Sequence, residues 1–289
     1  MTPKMLYMRK TPIQSAAILY LLTAGFVLFP TEWAGKLFTH DPVLAPMLGL
    51  GIVRMAFCLI MVVLALHMGI RNVWGVQRGA WRTLPLLLPA LIVAVNNLPI
   101  IALANGTAVV TGSAAYILAF VLECAGVGMF EEVAFRAVIF PFVLGRTGTG
   151  KRGRFWGVIL SSAMFGLLHL VNLLGGFSGG VFLQVGYSFL IGSMLAICMF
   201  RGAGVWTCAF VHAVFNFCGN LISSERGLGI GAFSDVWCLE EILLTAAVGV
   251  AAIVYFVFLL YRSKPDAADR FAVYPPDREG EQDMPRAQP

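Results

Sequence analysis

Residues 113–143 read SAAYILAFVLECAGVGMFEEVAFRAVIFPFV, and the only charged side chains among them are Glu123, Glu131, Glu132 and Arg136. A helix needs about 20 apolar residues to cross a hydrocarbon core. This stretch exceeds that length, so its four charges stand where lipid tolerates charge badly. Seven further stretches are comparably apolar: 13–30, 46–67, 84–104, 155–174, 180–200, 203–222 and 240–261. The fold class expected is therefore all-α, a polytopic transmembrane helical bundle of about eight spans.

Composition supports this reading. Of 289 residues 59% are hydrophobic and 12% charged, with mean hydropathy +0.83, against about 25% charged in soluble domains. These values exclude a disordered chain, a disulfide-stapled secreted module and a conventional cytosolic enzyme. The six cysteines form no CxxC pair, and Cys58, Cys124, Cys198, Cys208 and Cys218 lie in apolar stretches as small hydrophobes. The 31 glycines are read as helix-packing material.

The net charge of +5 follows topology rather than a nucleic-acid surface. Taking the regions outside the spans alternately from the N-terminus, 16 Lys and Arg fall in one set and two in the other. The positive-inside rule then places both termini in the cytoplasm. The basic flank of the first span resembles a signal peptide, but seven spans follow, and an uncleaved helix is expected. Residues 262–289 hold 11 charged side chains and are expected to form a disordered cytoplasmic tail. Gly145 to Lys151 fits the frame of a phosphate loop, yet Arg152 stands where Ser or Thr must reach magnesium. Neither nucleotide nor nucleic acid is expected as a partner; membrane lipid is.

Seven ionisable residues remain inside the spans: Arg54, Glu123, Glu131, Glu132, Arg136, His169 and His212. Glu132 and Arg136, four apart, can pair along one helical face, whereas Glu131 is turned about 100° away and left free. Phe165 with His169, and His212 with Asn216, are also four apart. At 1.5 Å per residue, Glu131, His169, His212 and Asn216 come to a similar depth on three helices. Such a set contains a general base, a second proton-transfer group and oxyanion donors, the parts needed for attack of water on a carbonyl. Two histidines and a carboxylate are equally the ligand set of a catalytic zinc, and spacing alone leaves both open. Arg54 and Glu123 lie at matching depth and are expected to pair across two helices. Glu240 and Glu241 are expected to start an interfacial helix. A proton-coupled transporter is the rival class, although no repeated Gly- or Pro-broken helix pair marks two halves.

The three motifs, Glu131-Glu132-Val133-Ala134-Phe135-Arg136, Phe165 through His169, and His212 through Asn216, resemble those of the CAAX prenyl protease and bacteriocin-processing (Abi) family of intramembrane proteases. The family has Gly in many members where this chain has Ala137. The resemblance implies an intramembrane endopeptidase acting on a membrane-bound or lipidated peptide or protein, such as a prenylated protein or a bacteriocin or pheromone precursor. It implies Glu131 with His169 as the water-activating pair and His212 with Asn216 as the oxyanion site, with Glu132, Arg136 and Phe165 in support. A metal-free glutamate mechanism without cofactor is favoured, and zinc held by Glu131, His169 and His212 is the alternative. Some relatives are non-catalytic immunity or regulatory proteins. The expected organisation is spans one to three in 1–112, a catalytic core in 113–222, an outer loop and span eight in 223–261, and the tail in 262–289. The expected location is the plasma membrane of a prokaryote.

Overall fold

A computed structural model describes residues 3–77, 84–177, 179–264 and 266–273. The chain runs through α1 (Pro3–Lys10), α2 (Pro12–Leu28), α3 (Glu32–Lys36), α4 (Leu44–His67), a 3₁₀ turn Leu84–Leu87, α5 (Leu88–Val95), α6 (Ile100–Ala104) and β1 (Val109–Val110). It continues through α7 (Ala114–Glu132), a π-helical segment Val133–Ile139, α8 (Phe140–Thr147), α9 (Lys151–Leu168) and a 3₁₀ segment His169–Gly175. Then follow α10 (Gly179–Phe200), α11 (Val205–Asn220), β2 (Gly229–Ile230), α12 (Phe233–Val236), α13 (Leu239–Arg262) and α14 (Asp266–Asp269). Every apolar stretch read from the sequence is mostly helical. Among the described residues four helical segments are long and apolar enough to cross a membrane: Leu44–His67, Lys151–Gly175, Gly179–Phe200 and Leu239–Arg262. Apolar side chains such as Val250, Val254 and Leu183 stand exposed on the outside, which is the face an integral membrane protein turns to lipid.

The fold is built around the column α7, π-segment and α8. Its residues 130–145 are all buried, and α4 and α11 pack on its first half while α2 and α9 pack on its second. Missing side chains set the approach of these helices. A Cβ on Gly126 would stand 2.4 Å from the carbonyl oxygen of Gly51, and one on Gly128 would stand 3.0 Å from that of Ala209. Gly126 therefore brings α4 against α7, and Gly128 brings α11 against α7 one turn before the two glutamates.

Three stretches read as single helices are divided. Residues 84–104 break at Asn96–Pro99, because Pro99 has no N–H to continue the ladder. The loosened backbone is held by Asn97, which donates to the Phe215 carbonyl at 3.0 Å, and by Glu241, whose carboxylate accepts from the Ile101 N–H at 2.9 Å. Glu240 and Glu241 start α13, as expected, and Glu241 is in addition a buried partner of α6. The column widens into a π-helix over Val133–Ile139, just ahead of Pro141, whose ring cannot donate to the carbonyl of Ala137 and crowds it. Span five tightens from α9 into a 3₁₀ segment at His169.

Two features were not legible as elements. An antiparallel pair, Val109 opposite Ile230 and Val110 opposite Gly229, ties the loop before α7 to the loop after α11. Beyond α13 the chain returns to the bundle: Phe271 packs on Phe140 and Phe200, and the Val273 N–H donates to the Pro141 carbonyl at 2.9 Å. Residues 262–273 are thus part of the packed molecule, held by apolar side chains embedded in a charged sequence. The remainder of the expected tail, 274–289, lies outside the described residues.

Candidate active site

Glu131 and Glu132 close α7, and Arg136 lies in the π-turn that follows. Oε2 of Glu132 is 3.1 Å from Nε of Arg136, and neither side chain has any exposed surface. The paired residues of this turn are therefore the two that spacing selected. The other oxygen of Glu132 accepts a hydrogen bond from Nδ1 of His212 at 3.0 Å. A carboxylate only accepts, so Nδ1 of His212 carries the hydrogen and Nε2 is the nitrogen left for other chemistry. That Nε2 lies 3.7 Å from Oε2 of Glu131, too far for a direct hydrogen bond. Both groups keep an edge turned to the cavity they line.

His169 stands at the junction of α9 and the 3₁₀ segment, with Nδ1 3.2 Å from the Phe165 carbonyl. The carbonyl also only accepts, so the neutral ring presents an unprotonated Nε2. Phe165 is the shared wall of the site. Its ring meets His169 edge-on at 5.4 Å and His212 edge-on at 5.7 Å, while the Arg136 guanidinium lies over it at 5.3 Å. Gly192 leaves room for this stack, since a Cβ there would come 3.0 Å from the Phe165 ring and 3.3 Å from Nη2 of Arg136.

Glu131, His169, His212 and Asn216 line one cavity of about 370 Å³. The sequence thus identified four residues that the fold brings to a common space from α7, the end of α9 and α11. Arg54, Glu123 and Arg226 line the same cavity. The expected Arg54–Glu123 pair is replaced by two other arrangements. Arg54 donates to the carbonyls of Phe26 and of Val27, the latter at 2.8 Å, and lies over the Phe130 ring at 5.4 Å. Pro30 contributes to this, because it supplies no N–H to the Phe26 carbonyl, which accepts only a long bond from the Phe29 N–H at 3.4 Å and takes the guanidinium besides. Glu123 pairs with Arg226 at 3.1 Å. Arg226, in the loop after α11, is not among the candidates read from the sequence; the available signal is that it is one of two basic residues in the basic-poor set of regions outside the spans.

A zinc ion held by Glu131, His169 and His212 would need three donors around one point. Among the described residues no group of three His, Cys, Asp or Glu side chains is so placed, while Nδ1 of each histidine is engaged with Glu132 or the Phe165 carbonyl, the kind of support that leaves Nε2 of a histidine open to a metal or to a water.

Residues 111–218 match the family described as type II CAAX prenyl endopeptidase Rce1-like. Over those residues the chain is similar to that family. No curated protein and no solved structure matches the chain. The Rce1-like stretch contains all three motifs, from Glu131 to Asn216, and leaves outside it α1 to α6, α13 and the C-terminal segment. The family is one of endopeptidases that act on membrane-associated protein substrates, in keeping with the apolar helices of the bundle.

Proposed function

We propose that the Rce1-like domain is an intramembrane endopeptidase that hydrolyses a peptide bond of a prenylated or otherwise lipidated peptide or protein by direct attack of water. The observation that carries this reading is the convergence of Glu131, His169, His212 and Asn216 on one cavity, with Glu132 and Arg136 fixing the His212 ring from behind. Glu131 takes a proton from the water while Nε2 of His169 accepts the other water hydrogen and orients it. The hydroxide oxygen adds to the carbonyl carbon. The oxyanion receives hydrogen bonds from the Asn216 amide and from Nε2 of His212 when that ring is protonated, its charge balanced by the Glu132 carboxylate. The C–N bond then breaks as Glu131 returns its proton to the leaving amine. We place the protein in a prokaryotic plasma membrane with both termini in the cytoplasm.

The test is cleavage by the full chain in liposomes of three membrane-anchored peptides, one prenylated at its C-terminus, one otherwise lipidated and one bacteriocin-like precursor. Wild type is expected to cut a lipidated peptide, and Glu131→Gln to lose at least about 100-fold with unchanged thermal unfolding. Full activity in Glu131→Gln overturns the assignment. Substrate capture without cleavage by wild type would favour an immunity or regulatory protein, and proton-coupled solute uptake would favour a transporter. Turnover is expected to survive complete chelation; loss of turnover restored by one equivalent of zinc would overturn the metal-free step.

A further inference from the structure

The cavity that holds Glu131, His169, His212 and Asn216 belongs to one end of the bundle. On α4 it is lined by Leu50 and Arg54, in the first half of Leu44–His67, and on α10 by Gln184 and Tyr187, in the first half of Gly179–Phe200. On α11 its lining, from His212 to Asn220, falls in the second half of Val205–Asn220. Its rim is polar. Nδ2 of Asn172 donates to Oε1 of Gln184 at 2.8 Å, and Asn172 and Asn220 are both exposed. Arg226, with 36% of its side chain exposed, reaches in to Glu123 at 3.1 Å. Water therefore has access from this end.

Toward the other end the cavity is closed. Residues 132–145, which follow Glu131 along the column, are all buried, and none of them lines the cavity. Beyond them Phe271 packs on Phe140 and Phe200. The catalytic groups are also shallow when measured from the open end. At 1.5 Å per residue, Asn216 lies ~6 Å and His212 ~12 Å short of Asn220, the last residue of α11. Both depths fall within the nearer half of a hydrocarbon core about 30 Å thick.

The two ends differ in charge. The connections at the open end are 29–43 before α4, 105–113 before α7, 176–178 before α10 and 221–238 after α11, and their only Lys and Arg are Lys36 and Arg226. At the closed end the last turn of α8 and the first turn of α9 alone hold Arg146, Lys151, Arg152 and Arg154, with Arg201 and Arg262 at neighbouring helix ends. The positive-inside rule gives the basic end to the cytoplasm. We infer that the cavity opens on the side of the membrane opposite the cytoplasm, and that its substrate is an exported polypeptide still tethered to the bilayer, with the bond to be cut in the outer leaflet. A polypeptide held on the cytoplasmic leaflet would have to carry unpaired backbone groups across the hydrocarbon to reach Glu131. The substrate class rests on the proteolytic reading; the side on which the cavity opens does not.

Sealed right-side-out and inside-out membrane vesicles carrying the full chain test this with a palmitoylated fluorogenic peptide, whose charged tail keeps it in the leaflet to which it is added. Cleavage is expected in right-side-out vesicles and its loss in inside-out ones, with recovery when the latter are permeabilised by detergent. A second arm reads the cavity mouth without activity. Glu225 and Arg152 are exposed, the first beside Arg226 and the second at the basic end. In a Cys238→Ser background, Glu225→Cys should react with an impermeant maleimide in right-side-out vesicles and Arg152→Cys in inside-out ones. Cleavage as fast or faster in inside-out vesicles, or labelling of Glu225→Cys from the cytoplasmic side, overturns the proposal. Absence of cleavage in every preparation, permeabilised ones included, counts against the proteolytic reading instead, and the labelling arm then decides the side of the mouth by itself.

Discussion

Glu132 is engaged on both sides, by Arg136 at 3.1 Å and by His212 at 3.0 Å, whereas Glu131 approaches His212 at 3.7 Å and opens on the cavity. The two neighbouring carboxylates should therefore fail differently when neutralised. Glu132→Gln leaves the Arg136 guanidinium buried and unbalanced, and should lower folding stability by about 3–5 kcal/mol, visible as a large fall in Tm. Glu131→Gln should leave Tm in place and remove cleavage. A stable Glu132→Gln protein would contradict the division of roles. The Glu132–Arg136 pair was legible because four residues on one helix are neighbours whatever the rest of the chain does. The bond from Glu132 to His212 was not, since it joins positions 80 residues apart and depends on how α11 crosses α7. For Arg54 depth alone suggested the wrong partner. The end of α2 decides it, where Pro30 supplies no N–H and the Phe26 carbonyl, with only a long bond from the Phe29 N–H, accepts the guanidinium.

The helices were legible from their apolar lengths, while their interruptions lay in single residues. Pro99 and Pro141 mark the break before α6 and the π-turn after α7, and both could have been read from the absence of an N–H. The crossings lie in glycines that composition counts but does not rank. Gly126→Ala should destabilise by about 1–3 kcal/mol through overpacking, because its Cβ would overlap the Gly51 carbonyl. Gly249→Ala in α13, where a Cβ meets nothing within 4 Å, should leave Tm unchanged or slightly raised. Equal effects of the two would remove the close crossing as the cause. At the start of α4, Asp41 accepts from the N–H groups of Val43 and Leu44 and from the Tyr116 hydroxyl, each at 2.8 Å. Those bonds, the backbone ones foremost, hold its pKa below the usual 3.8. A carboxyl with a lowered folded pKa stabilises fully above its unfolded value and loses that contribution as pH falls through the folded one. Stability measured from pH 6 downward should decline below about pH 4, and Asp41→Asn should be less stable at pH 6 with a shallower decline.

On the scale of the whole molecule, the column from α7 to α8 is braced from its far end by a segment that composition assigns to solvent. The stretch from Arg262 onward is rich in charge, and averaging over it hides Ala268, Phe271 and Val273, which are buried. Phe271 stacks on Phe200 at 5.8 Å and meets Phe140 at 6.3 Å. The Arg154 guanidinium reaches across to the Ser263 carbonyl at 2.8 Å. These contacts join α8, α9 and α10 through residues that do not line the cavity of Glu131, so loosening them should reach the site only through the column. Phe271→Ala removes a buried aromatic ring from this junction and should cost about 3–5 kcal/mol, read as a lowered Tm with a matching gain in tryptic cleavage at Arg262 and Arg270. Because Glu131, His169 and His212 are positioned by Gly128, Phe165 and Glu132 rather than by this segment, the folded fraction should keep its rate of peptide cleavage. A Phe271→Ala protein with wild-type Tm would show the segment to be detached in the membrane, and one with normal Tm but lost cleavage would place it in the catalytic path.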